Sequence, residues 1–88
     1  MNKQQNQINR VLSMYDRLCK GYMLTKKAEA DSFRVSEKTI QRDLNSIRTF
    51  LETTKTNQYL EYDRVQKVYK LEMYYEPLLQ TGYYENAN

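Results

Sequence analysis

Residues 33–51 read FRVSEKTIQRDLNSIRTFL, a run without glycine or proline. Ile40, Leu44, Ile47 and Leu51 recur at spacings that a 3.6-residue period gathers into an arc about 60° wide, and Phe50 widens it to one side. Lys38, Gln41, Arg42, Asn45, Arg48 and Thr49 fall on the opposite arc. Ser36 suits the N-cap, and Glu37 stands in the first turn, where the helix dipole favours an anion. The spacing therefore predicts a helix over about 36–51 with one face for a core and another rich in cations and amides. Such a polar face is by itself commonly just a solvated surface. Its neighbours along the chain decide the matter.

Only Arg34 and Val35 separate Phe33 from Ser36, a break so short that the helix before it must cross steeply. That preceding helix is short, capped by the Thr25 hydroxyl and running through Ala28, Ala30 and Phe33, with Leu24 packing from the position ahead of the cap. Further upstream Ile8, Val11, Leu12, Tyr15, Leu18 and Cys19 share an arc of about 120°, which predicts a core-facing first helix ending near Lys20 and Gly21. Downstream, TTKTNQ (53–58) reads as a loop. YLEY (59–62) and VYKLEM (68–73) then alternate as strands, with Leu60 and Tyr62 on one face of the first and Tyr69, Leu71 and Met73 on one face of the second. Residues 63–67 (DRVQK) form a hairpin tip with two cations.

Helix, helix, steep turn, helix, hairpin is the order of a winged helix-turn-helix, an α+β fold that is mostly helical, with three helices and a two-stranded β-hairpin wing. We expect a flexible polar N-terminus over 1–6, the domain over 7–73 and a C-terminal extension over 74–88. The extension contains Tyr74, Tyr75, Leu78, Leu79, Tyr83 and Tyr84, which suit either a dimer interface or a segment folded back on the first helix and wing.

Composition narrows the function. A chain of 88 residues is one domain and has little burial to spare for an enclosed cavity. With no histidine and a single cysteine it lacks zinc sites of the Cys/His type, Ser/His and Cys/His nucleophilic pairs, and any internal disulfide. No carboxylate pair sits in an apolar setting that would split two acidities. Neither an enzyme nor a metal or cofactor is expected, and Cys19 is expected to be a small buried residue in a reducing compartment. No apolar run approaches the roughly 18 residues of a membrane span, and the start lacks the apolar core of a signal peptide, so the expectation is a cytoplasmic protein away from membranes. The net charge of +3 divides unevenly: residues 1–50 hold ten Lys/Arg against five Asp/Glu (+5), residues 51–88 four against six (−2). A polyanion would meet the first half.

A helix that reads DNA enters a groove about 12 Å wide, offers donors and acceptors to base edges, and sets cations against the flanking phosphates. Lys38, Gln41, Arg42 and Asn45 supply those types on one face, with Arg48 on the same arc, and the small hydroxyls of Ser36 and Thr39 open the helix. Arginine reads guanine through two bonds; glutamine and asparagine read adenine. Asp43 lies at the edge of the apolar stripe and is expected to hold a neighbouring cation or backbone group internally.

VSEKTIQRDL (35–44) resembles the recognition-helix motif of DeoR-type winged helix-turn-helix domains, including those that open WYL-domain transcriptional regulators. In that motif Val-Ser is followed by one or two polar residues, Thr-Ile or Thr-Val, a variable residue and Arg-Asp-Leu. Val35, Ser36, Thr39, Ile40, Arg42, Asp43 and Leu44 fall in register. LTKKAEADSF (24–33) is similar to the second helix of that family and LEYDRVQKVYKLE (60–72) to its wing. The resemblance implies that Ser36, Lys38, Thr39, Gln41 and Arg42 face the major groove, joined by Asn45. It also implies that Thr25, Lys26 and Lys27 hold phosphates, and that Arg64 and Lys67 reach an adjacent backbone or minor groove; Arg48 is assigned to phosphate with them. Two departures stand out. Val68 takes a place where many wings have glycine, so different pairing is expected near the tip, and such regulators continue into a ligand-sensing domain that this chain does not show.

The expected partners are double-stranded DNA and a second copy of the chain, because one such domain covers too few base pairs and helix-turn-helix proteins commonly pair on two half-sites. A winged helix serving as a protein-binding adaptor without DNA affinity is the alternative.

Overall fold

The computed structural model describes residues 3–54 and 57–74. Its elements are α1 (Lys3–Cys19), α2 (Lys26–Phe33), α3 (Glu37–Thr53), β1 (Gln58–Asp63) and β2 (Val68–Met73), with β1 and β2 an antiparallel pair. This is a winged-helix fold. The expected C-terminal extension lies outside the described residues from position 75 onward.

α1 starts at Lys3, so the expected flexible start is already helical from there; its Lys and Gln are good helix formers and nothing interrupts them. Gly21, at φ 91°, closes the other end: its N–H donates to Leu18 O at 3.0 Å and that of Tyr22 to Arg17 O at 3.0 Å. Thr25 caps α2 by accepting from the Ala28 N–H at 3.1 Å, and Ser36 caps α3 by accepting from Thr39 N–H at 3.0 Å. Between the two helices Arg34 adopts φ 59° and Val35 N–H returns to Ala30 O at 3.0 Å, so the two-residue turn holds no slack.

The core joins Met14 and Leu18 of α1, Leu24, Ala30 of α2, the α3 row Ile40, Leu44, Ile47 and Leu51, and Leu60 and Tyr69 of the wing. The α3 stripe is buried throughout, at no more than 2% exposure. On α1 the reading from periodicity is corrected. Met14 is fully buried, whereas Ile8 (49%) and Leu12 (60%) are open and Cys19 is exposed, not buried. Phe50, expected to widen the core stripe, is also about half open and meets Tyr15 edge-on, with ring centroids 5.7 Å apart.

Two ion pairs account for this rotation of α1. Arg10 Nε donates to Asp43 Oδ2 of α3 at 2.6 Å, and the Arg17 guanidinium donates to both Glu29 carboxylate oxygens of α2, at 2.7 and 2.9 Å. Asp43 and Glu29 are buried, so the two arginines, seven positions apart on one side of α1, must turn inward to meet them. That motion swings Ile8, Leu12 and Cys19 outward.

The wing pairs regularly from Gln58↔Met73 to Asp63↔Val68, so Val68 causes no shift of register. Lys67, just before it, takes the left-handed conformation at φ 59° that glycine adopts most freely. The turn is Arg64–Lys67, Asp63 itself belonging to β1. Leu60 and Tyr69 reach the core, Tyr62 and Met73 at the same face are exposed, and Leu71 packs partly buried between them. Leu24 adds a one-residue bridge: it exchanges both backbone hydrogen bonds with Tyr69, at 2.8 and 2.7 Å.

Candidate nucleic-acid interface

The capped start of α3 leaves Ser36 and Lys38 on the surface, with Thr39 half-buried. The Ser36 hydroxyl donates to Thr39 Oγ1 at 3.1 Å, so these two small side chains close on each other. One turn on, the polar face divides into two rows. Gln41, Asn45 and Arg48 form the first. Gln41 Nε2 and Arg48 Nη1 both donate to Asn45 Oδ1 at 3.1 Å, while Gln41 Oε1 accepts from Lys26 Nζ and from the Tyr69 hydroxyl, each at 3.1 Å. One amide thus ties together α2, α3 and the wing. Lys38 and Arg42, one turn apart, form the second row, which is exposed.

Beside that second row, Thr39 and Arg42 line a cleft of about 410 Å³ whose far wall is Asn6, Gln7 and Arg10 of α1. On the other side, Thr25, Lys26 and Lys27 face Lys67, Gln66, Tyr62 and Tyr69 across an open cleft of about 400 Å³, with Glu37 at its edge. The structure therefore brings the start of α2 and the base of the wing tip together. Arg64 is exposed on the tip and lines neither cleft.

The wing turn is held by Asp63, whose carboxylate Oδ1 accepts from Val65 N–H at 2.9 Å and Gln66 N–H at 3.0 Å. The amide of Gln66 above all, then that of Val65 and the charge of Lys70, hold this carboxyl below its ordinary 3.8.

Ion pairing separates the cations of the scaffold from the rest. Among the described residues Arg10, Arg17, Lys20, Lys27 and Lys70 are paired with carboxylates. Lys26, Arg34, Lys38, Arg42, Arg48, Arg64 and Lys67 take part in no ion pair. Lys27 reaches Asp31 at 3.4 Å across an exposed pair, which water screens and a phosphate can displace. Asp43, buried against Arg10, stands apart from this surface, as its place on the wheel implied.

Some neighbours of this surface escape a reading of periodicity. Arg34 lies in the turn between α2 and α3, where only its lone charge marked it. Asn6 and Gln7 come beside Thr39 and Arg42 through helix packing, for which the sequence carries no local sign. The Tyr69 hydroxyl was masked by the ring's part in the core.

Among the described residues no helix is long and apolar enough to cross a membrane, and no group of His, Cys, Asp or Glu is placed to hold a metal ion. No protein-family model, curated protein or solved structure matches the chain.

Proposed function

We propose that this chain is a DeoR-like DNA-binding domain of a transcriptional regulator, a cytoplasmic protein that binds double-stranded DNA sequence-specifically and as a homodimer. In this reading α3 enters the major groove with Ser36, Lys38, Thr39, Arg42 and Asn45 toward base edges. Gln41 joins them when it exchanges a partner in its network for a base. Thr25, Lys26, Lys27 and Arg48 meet phosphates, and Arg64 and Lys67 follow the neighbouring backbone or minor groove.

The observation that carries the reading is the division of charge. Arg10 and Arg17 of α1 and Lys20 behind it are all neutralised, while the cations without a carboxylate belong to the start of α2, the turn, the polar face of α3 and the wing. An unneutralised set of cations costs self-repulsion in the free protein and is favoured where it releases counterions from a polyanion. Titration with duplex DNA at two salt concentrations tests it, followed by selection from random duplexes. Binding that weakens steeply with salt and enriches a symmetric site is expected; no binding at low salt would leave the adaptor reading in its place.

A further inference from the structure

We infer that the apolar groove between α1 and α3 is the surface through which two copies of this chain pair. Val11, Leu12, Tyr15, Ser46, Ile47 and Phe50 line a depression of about 230 Å³, which continues past Ile8 and Gln7 along α1. Ile8, Leu12 and Phe50 expose 49, 60 and 48% of their surface there. No carboxylate and no cation lines either part, in a chain of which 28% is charged. Exposed Cys19, seven positions after Leu12, continues the uncharged row.

A second copy fits this surface better than the chain's own C-terminal segment. The described chain ends at Tyr74, which stacks on Tyr59 with ring centroids 4.7 Å apart and borders a cleft with Arg48 and Glu52. At 100° per residue, Arg48 and Glu52 lie roughly 160° around α3 from Ser46 and Phe50, so the tail sets out from the flank opposite the groove. The groove is also self-complementary. The ridge of Ile8 and Leu12 runs directly beside the furrow over Val11 and Ser46, so a two-fold axis across α1 lays each ridge in the other copy's furrow. Lacking charge, the surface needs no counter-charge, and two like-charged copies meet there with least repulsion.

The exposed area of these side chains is on the order of 350 Å² per copy, about 700 Å² for the pair, short of the roughly 1,200 Å² of stable complexes. The pair is accordingly a weak one, formed at high concentration. It leaves the polar face of α3 free, since Gln41 and Asn45 lie roughly 140° around the helix from Ser46 and Phe50. The inference stands without DNA and goes beyond the DNA-binding reading.

Sedimentation equilibrium of the full chain without DNA, from about 10 μM to 1 mM, tests it. The wild-type mass is expected to climb from 10.7 kDa toward twice that value. Leu12→Glu and Ile8→Glu, both at open positions, should remain monomeric with unchanged far-UV circular dichroism and melting temperature, and a Leu78→Glu, Leu79→Glu variant should pair like wild type. A wild-type chain that stays monomeric throughout overturns the inference. So does pairing retained by both groove variants, or pairing lost in the tail variant, which would move the contact to the tail.

Discussion

The hydroxyl of Tyr69, in the wing, donates to Oε1 of Gln41, on α3, at 3.1 Å. Tyr69 is only 5% exposed, so its hydroxyl depends on this partner. Replacing Gln41 with alanine should lower stability by about 1 to 2 kcal/mol, the cost of a buried hydroxyl left unpaired. Tyr69→Phe in the Gln41→Ala background should add little, giving a coupling of about 1 kcal/mol in a double-mutant cycle by urea unfolding. Strict additivity would show that the bond contributes nothing.

Asp43 is 1% exposed and Arg10 nearly as enclosed, so removing one charge strands the other. Asp43→Asn should destabilise by about 3 kcal/mol, and the combined Arg10→Met, Asp43→Leu variant should regain most of it. Because this pair is scaffold, the double variant should bind duplex DNA within about twofold of wild type, a Kd ratio corresponding to less than 0.5 kcal/mol. A large loss of affinity in a folded double variant would place Asp43 in recognition instead.

Lys26 and Arg42 should fail differently. Lys26→Ala is expected to weaken binding to all duplexes alike and reduce the salt slope by about one. Arg42→Ala should cost on the order of 1 to 3 kcal/mol at particular base pairs and spare random sequence. Equal losses on selected and random DNA for both variants would refute direct readout by α3.

Acid should loosen the wing turn in a defined direction. The Asp63 carboxyl titrates below 3.8 in the folded chain because two amides donate to it. The support it gives is therefore complete above pH 3.8 and is lost as pH falls through the lower folded value. The amide resonances of Val65 and Gln66 should shift with a midpoint below 3.8 and lose that titration in Asp63→Asn. A midpoint above 3.8 would contradict the geometry.

Local chemistry made much of this fold legible. Thr25, Ser36 and Gly21 announced the helix ends, and alternation from Leu60 to Met73 announced the wing. The α3 stripe was legible because every member faces the core. α1 was not, since its rotation follows from Arg10 and Arg17 seeking buried carboxylates on other helices, and a wheel of apolar residues carries no term for such a search. The bridge from Leu24 to Tyr69 was hidden for the same reason: one residue has no period. For the candidate surface, residue types were readable on α3, but the sharing of Gln41 among Lys26, Asn45 and Tyr69 depends on side chains from three elements meeting in space.

The bridge between Leu24 and Tyr69 has a mechanical corollary. Thr25 and Lys26 follow Leu24 directly, and Lys67 sits two positions before Tyr69, so the two banks of the Lys26–Lys67 cleft hang from one pair of backbone hydrogen bonds. The wing cannot swing without carrying the first turn of α2 along. Together they act as callipers locked at one opening, and a duplex of the wrong width must itself deform to be gripped.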